Sequence, residues 1–414
     1  MMKRDLSISF VLSAIILVGL VLSEVEFTKP QKSHITLKRY TATGSFGVQP
    51  WEVARTFDMS QSWYYSGETV KQIHALRPDY TALMYRNVRA VYPYWSDEYQ
   101  LFTTNGWVLK DQYGEYVYST VYGRENYQLA DVGNPDYQEW VANWIKGKLD
   151  ESGFNGVFAD NSFSSGTETF WGVSNKPINP RTGTFFTDAE MRNSLIQLHK
   201  KIKEKIGSKL LVCNGIWQGP RFYERYDAYT EIFDKSPLDG IMSEGCWYQY
   251  GETWMLPDDW LRSVEFMAWV EENFLKGHAN RVFIPVCLAN GENRVFPSGC
   301  SPEQLVVFAF TSTLMAIESS QTYLALARVG VDFLEYINFV QKLHEIPLGY
   351  PLNNYYKVEG TRLYARDFSN VKVIVNPTGT PYHVTFKETW IDALTSETVT
   401  ELTVTPHSGA ILLG

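Results

Sequence analysis

Histidine is scarce in this chain, with only 7 residues in 414. Hydrophobic periodicity assigns three of them to helices, one to the approach to a strand, one to a linker and two to the C-terminal segment, so none lies at the end of a predicted barrel strand. Metal-assisted hydrolysis and Ser-His-Asp catalysis both depend on a histidine in the site, and no glycine-rich phosphate loop follows a strand. We therefore predict a site with no metal and no cofactor. The histidines are His34, His74, His199, His278, His344, His383 and His407.

Cysteine is also rare, with 4 residues, and none has the spacing of a zinc-binding pair. An even number of cysteines in an exported protein allows one or two disulfides among three pairings. One long predicted loop joins Cys287 to Cys300, which makes them our preferred pair. The alternative is that Cys213 and Cys287 are small buried strand residues.

Clusters of basic residues are absent as well. The 37 Lys and Arg residues are outnumbered by 46 Asp and Glu residues, which gives a net charge of −9. Proteins that follow a phosphate backbone need clustered positive charge for counterion release, so we exclude a nucleic-acid partner. The same charge argues against an anionic polymer as ligand.

The start of the chain differs in composition from the rest. Lys3 and Arg4 precede an uncharged, mostly apolar run from Leu6 to Leu22, which Ser23 and Glu24 end. This pattern predicts a cleaved export signal or an N-terminal membrane anchor in residues 1–23, and its length of about 17 residues leaves the two open. In both cases we expect the body of the protein to be extracellular or on the outer face of the cell membrane. Residues 24–48 are predicted to be a linker.

Short apolar runs alternate with helical patterns through most of the remaining chain. This alternation predicts parallel strands joined by helices, and eight such units close into a (β/α)8 TIM barrel without exposed sheet edges. We assign the barrel to residues 49–348, with an aromatic hairpin insertion at about 91–124 beside the cleft. The predicted strands are 53–58, 80–87, 127–132, 155–162, 209–215, 238–244, 281–290 and 322–328.

Pro347 and Pro351 mark a change of pattern. From 349 to 414 the chain consists of short runs of alternating apolar and polar residues, divided by turn sequences such as Asn376-Pro377-Thr378-Gly379. Such a pattern is typical of antiparallel sheets. We predict a small antiparallel all-β sandwich domain, with strands at 363–368, 371–375, 383–386, 390–394, 398–405 and 410–413.

Two of the predicted barrel strands end in an acid. The fourth strand ends in Phe158-Ala159-Asp160, and the sixth ends in Met242-Ser243-Glu244. The carboxyl ends of barrel strands are where ligands bind, so the two acids are predicted to face one cleft. A carboxylate pair suffices for glycoside hydrolysis, because one acid protonates the leaving oxygen while the other attacks the anomeric carbon or activates water.

The spacing of the two acids leaves the stereochemistry open. Alternate strands end about 10 Å apart, which allows carboxyl separations anywhere from roughly 5 to 9 Å, the range that divides retaining from inverting enzymes. Each acid taken alone also fits a helix cap or a structural salt bridge.

Aromatic residues make up 15% of the chain, and planar apolar faces edged with polar groups suit sugar rings. Many of these aromatic residues lie in predicted loops. Our candidates for substrate binding, at strand ends and in the loops beyond them, are Asp58, Arg86, Asn161, Asn214, Trp217, Trp247, Tyr248, Asn290 and Arg328.

The sequence also resembles a known family. Gly156-Val157-Phe158-Ala159-Asp160-Asn161, Ser243-Glu244-Gly245 and Pro406-His407-Ser408-Gly409 are similar to motifs of a glycoside-hydrolase-like family of (β/α)8 barrels with a C-terminal β domain. Distant relatives of that family include α-galactosidase-like and endo-α-1,4-polygalactosaminidase-like barrels. The resemblance implies that Asp160 is the nucleophile or base and Glu244 the proton donor, with the roles exchangeable, and that the substrate is α-linked.

From these observations we expect an exported glycoside hydrolase that acts on a polysaccharide or oligosaccharide. The alternative is a non-catalytic carbohydrate-binding barrel at the cell surface. Both need the aromatic pair Trp247 and Tyr248, but only the enzyme needs both acids.

Overall fold

A computed structural model describes residues 34–42, 49–120, 123–162, 173–216, 219–249, 253–287, 301–326 and 333–414. The strands in these ranges are β1 (Lys38–Ala42), β2 (Met59–Trp63), β3 (Thr81–Asn87), β4 (Ala90–Val91), β5 (Gln128–Leu129), β6 (Gly156–Asp160), β7 (Leu210–Ile216), β8 (Gly240–Glu244), β9 (Tyr248–Gln249), β10 (Thr253–Trp254), β11 (Val282–Cys287), β12 (Tyr323–Leu326), β13 (Tyr356–Lys357), β14 (Tyr364–Asp367), β15 (Val371–Asn376), β16 (Tyr382–Asp392), β17 (Thr398–Val404) and β18 (Ser408–Leu413).

The predicted TIM barrel is confirmed. Eight parallel strands close into a ring in the order β1, β2, β3, β6, β7, β8, β11 and β12, with β12 paired to β1. The α-helices of the described ranges are Pro50–Thr56, Gly67–Leu76, Ser96–Thr104, Pro135–Glu151, Asp188–Ile206, Pro220–Glu224, Tyr226–Lys235, Pro257–Val270, Pro302–Leu314 and Phe333–His344, with a 3-10 turn at Tyr64–Ser66 and a π-helical turn at Glu271–Leu275.

The first two barrel strands differ from the prediction. β1 lies within the range expected to be a linker, and residues 53–58, expected as the first strand, fall mostly in the helix Pro50–Thr56. A capping box between Gln49 and Glu52 and a proline in the first turn favour that helix. β2 reads Met-Ser-Gln-Ser-Trp, so it lacks the apolar run that marks a buried parallel strand.

The predicted strand at 127–132 is wrong as a barrel strand. Only Gln128 and Leu129 form a strand, and they pair with β4 outside the ring. Antiparallel bridges from Lys110 to Tyr116 and from Tyr118 to Gln128 build a hairpin in and just beyond the range expected for the aromatic insertion. The prediction thus missed two barrel strands, β1 and β2, and included two segments that are not barrel strands, 53–58 and 127–132. The number of strands is therefore unchanged, and β6 and β8 are the fourth and sixth strands of the ring, as predicted.

The barrel has an inner and an outer apolar core. The inner one is formed by alternate residues of the strands, including Leu83, Phe158, Val212, Met242 and Ile284. The intervening strand residues pack with the helices in the larger outer core. Successive residues of a strand point to opposite faces. Whether a residue lies an even or an odd number of positions from an inner-core residue, which we call its parity, therefore decides whether its side chain faces the cleft.

The all-β antiparallel C-terminal domain is also confirmed. Its six strands follow the order β13, β14, β15, β18, β16, β17. Val373 and Ile411 on one face pack in the barrel's outer core, while Ile374 and Leu412 on the other face pack in a second small core. The predicted strands 383–386 and 390–394 are one long strand, β16, with an irregular register between Thr385 and Trp390.

The remaining expectations fall partly outside the described residues. Residues 1–33, which include the predicted export signal or anchor, lie outside them, and no helix in the described ranges has the length and apolar character to cross a membrane. Cys213 is a buried strand residue. The Cys287 thiol donates to the Cys246 carbonyl at 3.2 Å, and Cys300, its preferred disulfide partner, lies outside the described residues.

Candidate active site

Three inward-facing polar residues lie at or near the carboxyl ends of neighbouring strands: Asp160 on β6, Asn214 on β7 and Glu244 on β8. Each follows the inner-core residue two positions earlier, namely Phe158, Val212 and Met242. The apolar core forms the floor of the cleft, and the parity of each strand aims the polar side chain into its mouth.

One amide group links the two acids. Asn214 Nδ2 donates to Asp160 Oδ1 at 2.8 Å and to Glu244 Oε1 at 2.8 Å. Because both oxygens bond the same nitrogen, they lie at most twice 2.8 Å, or 5.6 Å, apart. The two N–H bonds of an amide diverge by about 120°, which corresponds to a separation of about 4.8 Å. The acids therefore form one close pair.

Asp160 is held by several further donors. Tyr85 Oη donates to Asp160 Oδ2 at 2.6 Å, and the Asn161 backbone amide donates to Oδ1 at 2.9 Å. The side-chain amides of Asn161 and Asn87 lie 3.2 and 3.4 Å from Oδ2. Burial holds the pKa of Asp160 above its ordinary value, and the hydrogen bonds from Tyr85, Asn214 and the Asn161 backbone offset part of that rise. These donors favour an ionised carboxylate in one fixed orientation.

The turn after Asp160 is anchored to the helix layer. Asn161 has a left-handed backbone, with φ of 56°, and the Ser162 hydroxyl donates to the Ala159 carbonyl at 2.7 Å. The ring of His199 on the helix Asp188–Ile206 lies 3.0 Å from the Ser162 carbonyl and 2.9 Å from the Ser236 hydroxyl. Burial lowers the pKa of His199 to about 4, so this ring is neutral near pH 7 and serves as a fixed support.

Tyrosine side chains surround the pair on the side of the first three strands. Tyr40 on β1 donates to Gln61 Oε1 at 2.6 Å. Burial raises the pKa of Tyr40, and the charges of Tyr80, Glu244 and Asp160 add to the rise. The Trp63 ring packs edge-on against the Tyr85 ring, with 4.6 Å between the ring centroids. This side of the cleft is an aromatic wall, continued by Tyr92 and Trp95.

Asp58, predicted to bind substrate, lies at the other end of the barrel. It precedes β2 instead of ending a strand, and its carboxylate accepts hydrogen bonds from Arg39 at 2.8 Å and from Arg77 at 2.7 Å. Burial alone would raise the pKa of Asp58, but the bonds and charge of Arg39 and Arg77 bring it below the ordinary value. Asp58 is a structural ion-pair residue, and the prediction was wrong because the preceding segment is a helix.

Arg86 does not reach the cleft either. It lies on the outward face of β3, where its guanidinium pairs with Glu98 at 2.7 and 3.1 Å and lies 4.6 Å from the Trp144 ring centroid. The inward residues of β3 are its neighbours Tyr85 and Asn87. Both faces of β3 are largely buried, so its sequence has no alternation to show which parity faces the barrel.

The predicted aromatic pair after β8 is only partly described. Trp247 has no exposed surface and packs on Trp260 at 6.3 Å, so it cannot stack on a sugar. Left-handed backbone at Gly245 and Trp247, with φ of 77° and 75°, turns the chain back toward the helices. Tyr248 begins the short strand β9, and the structure describes only its backbone.

Three other candidates, Trp217, Asn290 and Arg328, lie outside the described residues. In the ranges that are described, no group of three or more His, Cys, Asp or Glu could hold a metal ion. Of the binding residues named from sequence, Asn161 and Asn214 contact the acids. Sequence reasoning missed Tyr85, Asn87, Tyr40 and Gln61, which only the observed parity of β1, β2 and β3 identifies.

Comparisons with known proteins agree with this architecture. Among solved structures, the maltogenic α-amylase AmyB from Thermotoga neapolitana superposes with a TM-score of 0.55, at 10% identity over 91% of this chain and 98% of that one. Amy13B from Eubacterium rectale superposes with a TM-score of 0.52, at 11% identity over 92% of this chain and 97% of that one. An α-amylase from Geobacillus thermoleovorans superposes with a TM-score of 0.50, at 11% identity over 91% of this chain and 98% of that one. Identities this low show a shared fold alone.

A search of curated proteins found no match. The model of one protein family, described as hypothetical glycosyl hydrolase family 15, matches residues 74–372, which is more than half of the chain and includes both acids. The chain belongs to hypothetical glycosyl hydrolase family 15.

Proposed function

We propose that this protein is a retaining glycoside hydrolase with Asp160 as nucleophile and Glu244 as acid and base. The observation that carries the proposal is the amide of Asn214, which bonds both carboxylates at 2.8 Å. Retaining enzymes have carboxyl groups roughly 5–5.5 Å apart, whereas inverting enzymes need roughly 6.5–9.5 Å to admit a water molecule. The nearest oxygens of the two carboxyl groups, Asp160 Oδ1 and Glu244 Oε1, lie at most 5.6 Å (twice 2.8 Å) apart, and this close approach favours retention.

The assignment of roles follows from the donors around Asp160. A nucleophile must be ionised and aimed at the anomeric carbon. The donors on Asp160, from Tyr85 at 2.6 Å to Asn214 and the Asn161 backbone, stabilise the anion and fix its direction. The Asp160 carboxylate attacks the anomeric carbon and forms a covalent bond to the sugar, while the glycosidic bond breaks and Glu244 gives its proton to the leaving oxygen. Glu244 then takes a proton from a water molecule whose oxygen attacks the anomeric carbon, which breaks the bond to Asp160 and releases the sugar with its original configuration.

The substrate we propose is a polysaccharide or oligosaccharide with α-linkages. The resemblance of the motifs around Asp160 and Glu244 to α-acting barrels supports the linkage. The wall of Trp63, Tyr85 and Trp95 beside Asp160 supports a sugar ligand, because aromatic rings pack on the apolar faces of pyranose rings. The apolar run from Leu6 to Leu22 supports export to the cell exterior.

The test is hydrolysis of a panel of α- and β-linked polysaccharides and aryl glycosides. Residues Ile35–Gly414 form one compact unit, so the protein lacking residues 1–23 is the form to assay. We expect turnover of at least one α-linked substrate, with a first product that keeps the α configuration by proton NMR. Asp160→Asn and Glu244→Gln should each lower kcat by about 10³-fold or more while leaving sugar binding largely intact.

Two results would contradict the proposal. A β-configured first product from an α-linked substrate would rule out retention. Sugar binding without turnover by any form of the protein, including the one with both acids, would instead assign the chain to non-catalytic carbohydrate binding.

A further inference from the structure

Exposed aromatic side chains continue the aromatic wall of the candidate active site to the protein surface. Tyr65 and Tyr94 are 63% and 60% exposed, and the adjoining Trp63 and Trp95 are partly exposed. A single exposed aromatic residue is ordinary in a folded protein, but a contiguous group beside a cleft is typical of a binding surface. We call Trp63, Tyr65, Tyr94 and Trp95 the aromatic strip.

Trp63 fixes the position of the aromatic strip relative to the acids. It is the last residue of β2 and lies four positions after Met59, which belongs to the inner core. Trp63 therefore has the parity of the side chains that face the cleft. It pairs in register with Tyr85 on β3, and the Tyr85 hydroxyl donates to Asp160 Oδ2 at 2.6 Å. One ring thus separates Trp63 from the Asp160 carboxylate.

Tyr65 and its neighbour Tyr64 lie in the 3-10 turn after β2, and their rings have different surroundings. The Tyr64 ring packs edge-on against Trp144 of the helix Pro135–Glu151, with 5.4 Å between the ring centroids. The Tyr65 ring instead lies nearly parallel to the Trp63 ring, with 7° between the ring planes and 6.3 Å between the centroids. Tyr64 therefore packs on the helix layer, whereas Tyr65 extends the aromatic surface that begins at the cleft.

Tyr94 extends the strip along a second line of ring contacts. The Trp95 ring lies 6.0 Å from the Trp63 ring and 5.7 Å from the Tyr94 ring. Tyr92 packs on Trp95 at 4.6 Å. Burial raises the pKa of Tyr92, and the charge of Asp160 adds to the rise, so this group of rings lies within the electrostatic reach of the acid.

The order of the strands puts the strip on the side of Asp160 that is away from Glu244. Around the ring, β2 and β3 lie on one side of β6, and β7 and β8 lie on the other. In the proposed mechanism the leaving group lies beside Glu244, which protonates it. The sugar units that precede the cleaved bond therefore extend past Asp160 toward β2 and the strip.

We propose that the aromatic strip binds the sugar units that precede the cleaved bond, so that the substrate is an oligosaccharide or polysaccharide chain held by at least two units on this side. Tyrosine and tryptophan offer rigid apolar faces with a polar edge, which suit the alternating apolar and hydroxylated surfaces of a sugar chain. This proposal rests on the proposed glycosidase function and narrows its substrate class to chains, as opposed to single terminal sugars.

The first test measures how affinity depends on chain length. The Glu244→Gln protein lacking residues 1–23 should bind sugars without cleaving them. Its affinity for glucose- and galactose-based α-1,4-linked oligosaccharides of one to four units is measured by titration calorimetry. We expect the affinity in at least one series to rise about tenfold or more from one to three units, because stacking on Tyr65 removes apolar surface from water. Tyr65→Ala should remove most of this rise and leave the affinity for the single sugar unchanged.

Three further variants separate stacking from a structural effect. Tyr65→Phe keeps the ring and should keep the rise with chain length. Tyr64→Ala is the matched control, because it removes a neighbouring ring that packs on the helix layer, and it should leave every affinity unchanged. Tyr94→Ala should lower the affinity for the longer oligosaccharides alone. Because Tyr65 is largely exposed, Tyr65→Ala should have the Tm of the parent protein.

The second test identifies the side of the cleaved bond. The 4-nitrophenyl α-glycosides of one, two and three units share a leaving group and differ only in the sugar units that precede the cleaved bond. With the protein that has both acids, KM should fall with each added unit while kcat changes little, because the strip does not touch the reacting atoms. Tyr65→Ala should raise KM for the three-unit glycoside alone.

Several results would overturn the proposal. These are the absence of binding in both series, equal affinity for one and three units, and a rise with chain length that survives in Tyr65→Ala. A KM that does not depend on the number of units before the cleaved bond would also overturn it.

The same measurements distinguish this proposal from the glycosidase assignment. If turnover depends on Glu244 while Tyr65→Ala leaves the dependence on chain length unchanged, the strip proposal fails and the enzyme stands. If longer chains bind more tightly through Tyr65 but no glycoside is cleaved, chain binding by the strip stands and the glycosidase assignment fails.

Discussion

The amide of Asn214 is the single contact on which the proposed chemistry most depends, and Asn214→Ala removes it. The two oxygens that Asn214 bonds lie at most 5.6 Å (twice 2.8 Å) apart, and two negative charges at that distance repel each other by about 3 kcal/mol at an effective dielectric constant of about 20. A hydrogen bond to a charged group contributes about 1.5–3 kcal/mol, so the amide offsets much of this repulsion. Without it, the pair holds a proton to higher pH.

The expected kinetic effect follows from this rise in the pKa of the acid pair. The hydrogen bond from Asn214 lowers the pKa of Asp160, so its loss raises that pKa. The acidic limb of the kcat/KM profile, which reports ionisation of the nucleophile, should move to higher pH by about one unit or more. We also expect kcat to fall roughly 10- to 100-fold, which corresponds to about 1.4–2.8 kcal/mol.

The assay is a pH–rate profile on the best substrate of the glycoside panel, with circular dichroism to verify folding. Tyr85→Phe is the matched control, because it removes a 2.6 Å bond to Asp160 alone and keeps the ring. It should shift the acidic limb in the same direction, because the Tyr85 bond also lowers the pKa of Asp160, but it leaves the bond from Asn214 to Glu244 in place. A folded Asn214→Ala protein with an unchanged acidic limb and unchanged kcat would refute the idea that the two acids act as one pair.

Three further predictions concern stability. Burial lowers the pKa of His199 to about 4, so as pH falls the unfolded chain binds a proton at this histidine before the folded protein does. Up to about 3 kcal/mol of unfolding free energy is therefore lost between pH 6.5 and 4. His199→Gln should flatten this part of the curve of Tm against pH, whereas the same substitution at the exposed His383 should not. A Cβ at Gly409 would lie 2.2 Å from Thr311 Oγ1 on the helix Pro302–Leu314, so Gly409→Ala should cost about 1–3 kcal/mol in urea unfolding, whereas Gly379→Ala, with its nearest atom at 4.0 Å, should be close to neutral. Asp58→Asn breaks the partly buried ion pairs with Arg39 and Arg77 and should lower the free energy of unfolding by about 2–4 kcal/mol, with kcat unchanged at temperatures below the Tm. A loss of kcat at unchanged stability would instead indicate that Asp58 acts in the active site.

Much of the fold could be predicted from local pattern alone. The strands that end in Asp160 and Glu244 are apolar, short and bounded by turn residues, and the C-terminal strands alternate with period two, so both were recognised. β1 and β2 were missed because they are polar: they read Lys-Arg-Tyr-Thr-Ala and Met-Ser-Gln-Ser-Trp. Their backbone hydrogen bonds to neighbouring strands hold them in the ring, and for β1 one of these neighbours, β12, lies at the far end of the barrel sequence.

The candidate site shows the same division. The acids were identified because each ends a short apolar run, and the carboxyl ends of barrel strands are where ligands bind. This reasoning needs only the local sequence. Arg86 was chosen over Tyr85 and Asn87 because both faces of β3 are buried, so the sequence carries no sign of which face is inside. Trp247 was chosen for its position after Glu244, and only the backbone turn at Gly245 shows that its ring is buried.

The sequence by itself determined the class of fold, the C-terminal sheet and the two strands that carry the acids, because hydrophobic periodicity and turn residues act over a few positions. Only the tertiary structure decided how far apart the acids lie and that Asn214 bonds both of them. These properties depend on barrel closure, strand register and side-chain parity, which bring together residues from β3, β6, β7 and β8 that are far apart in the chain.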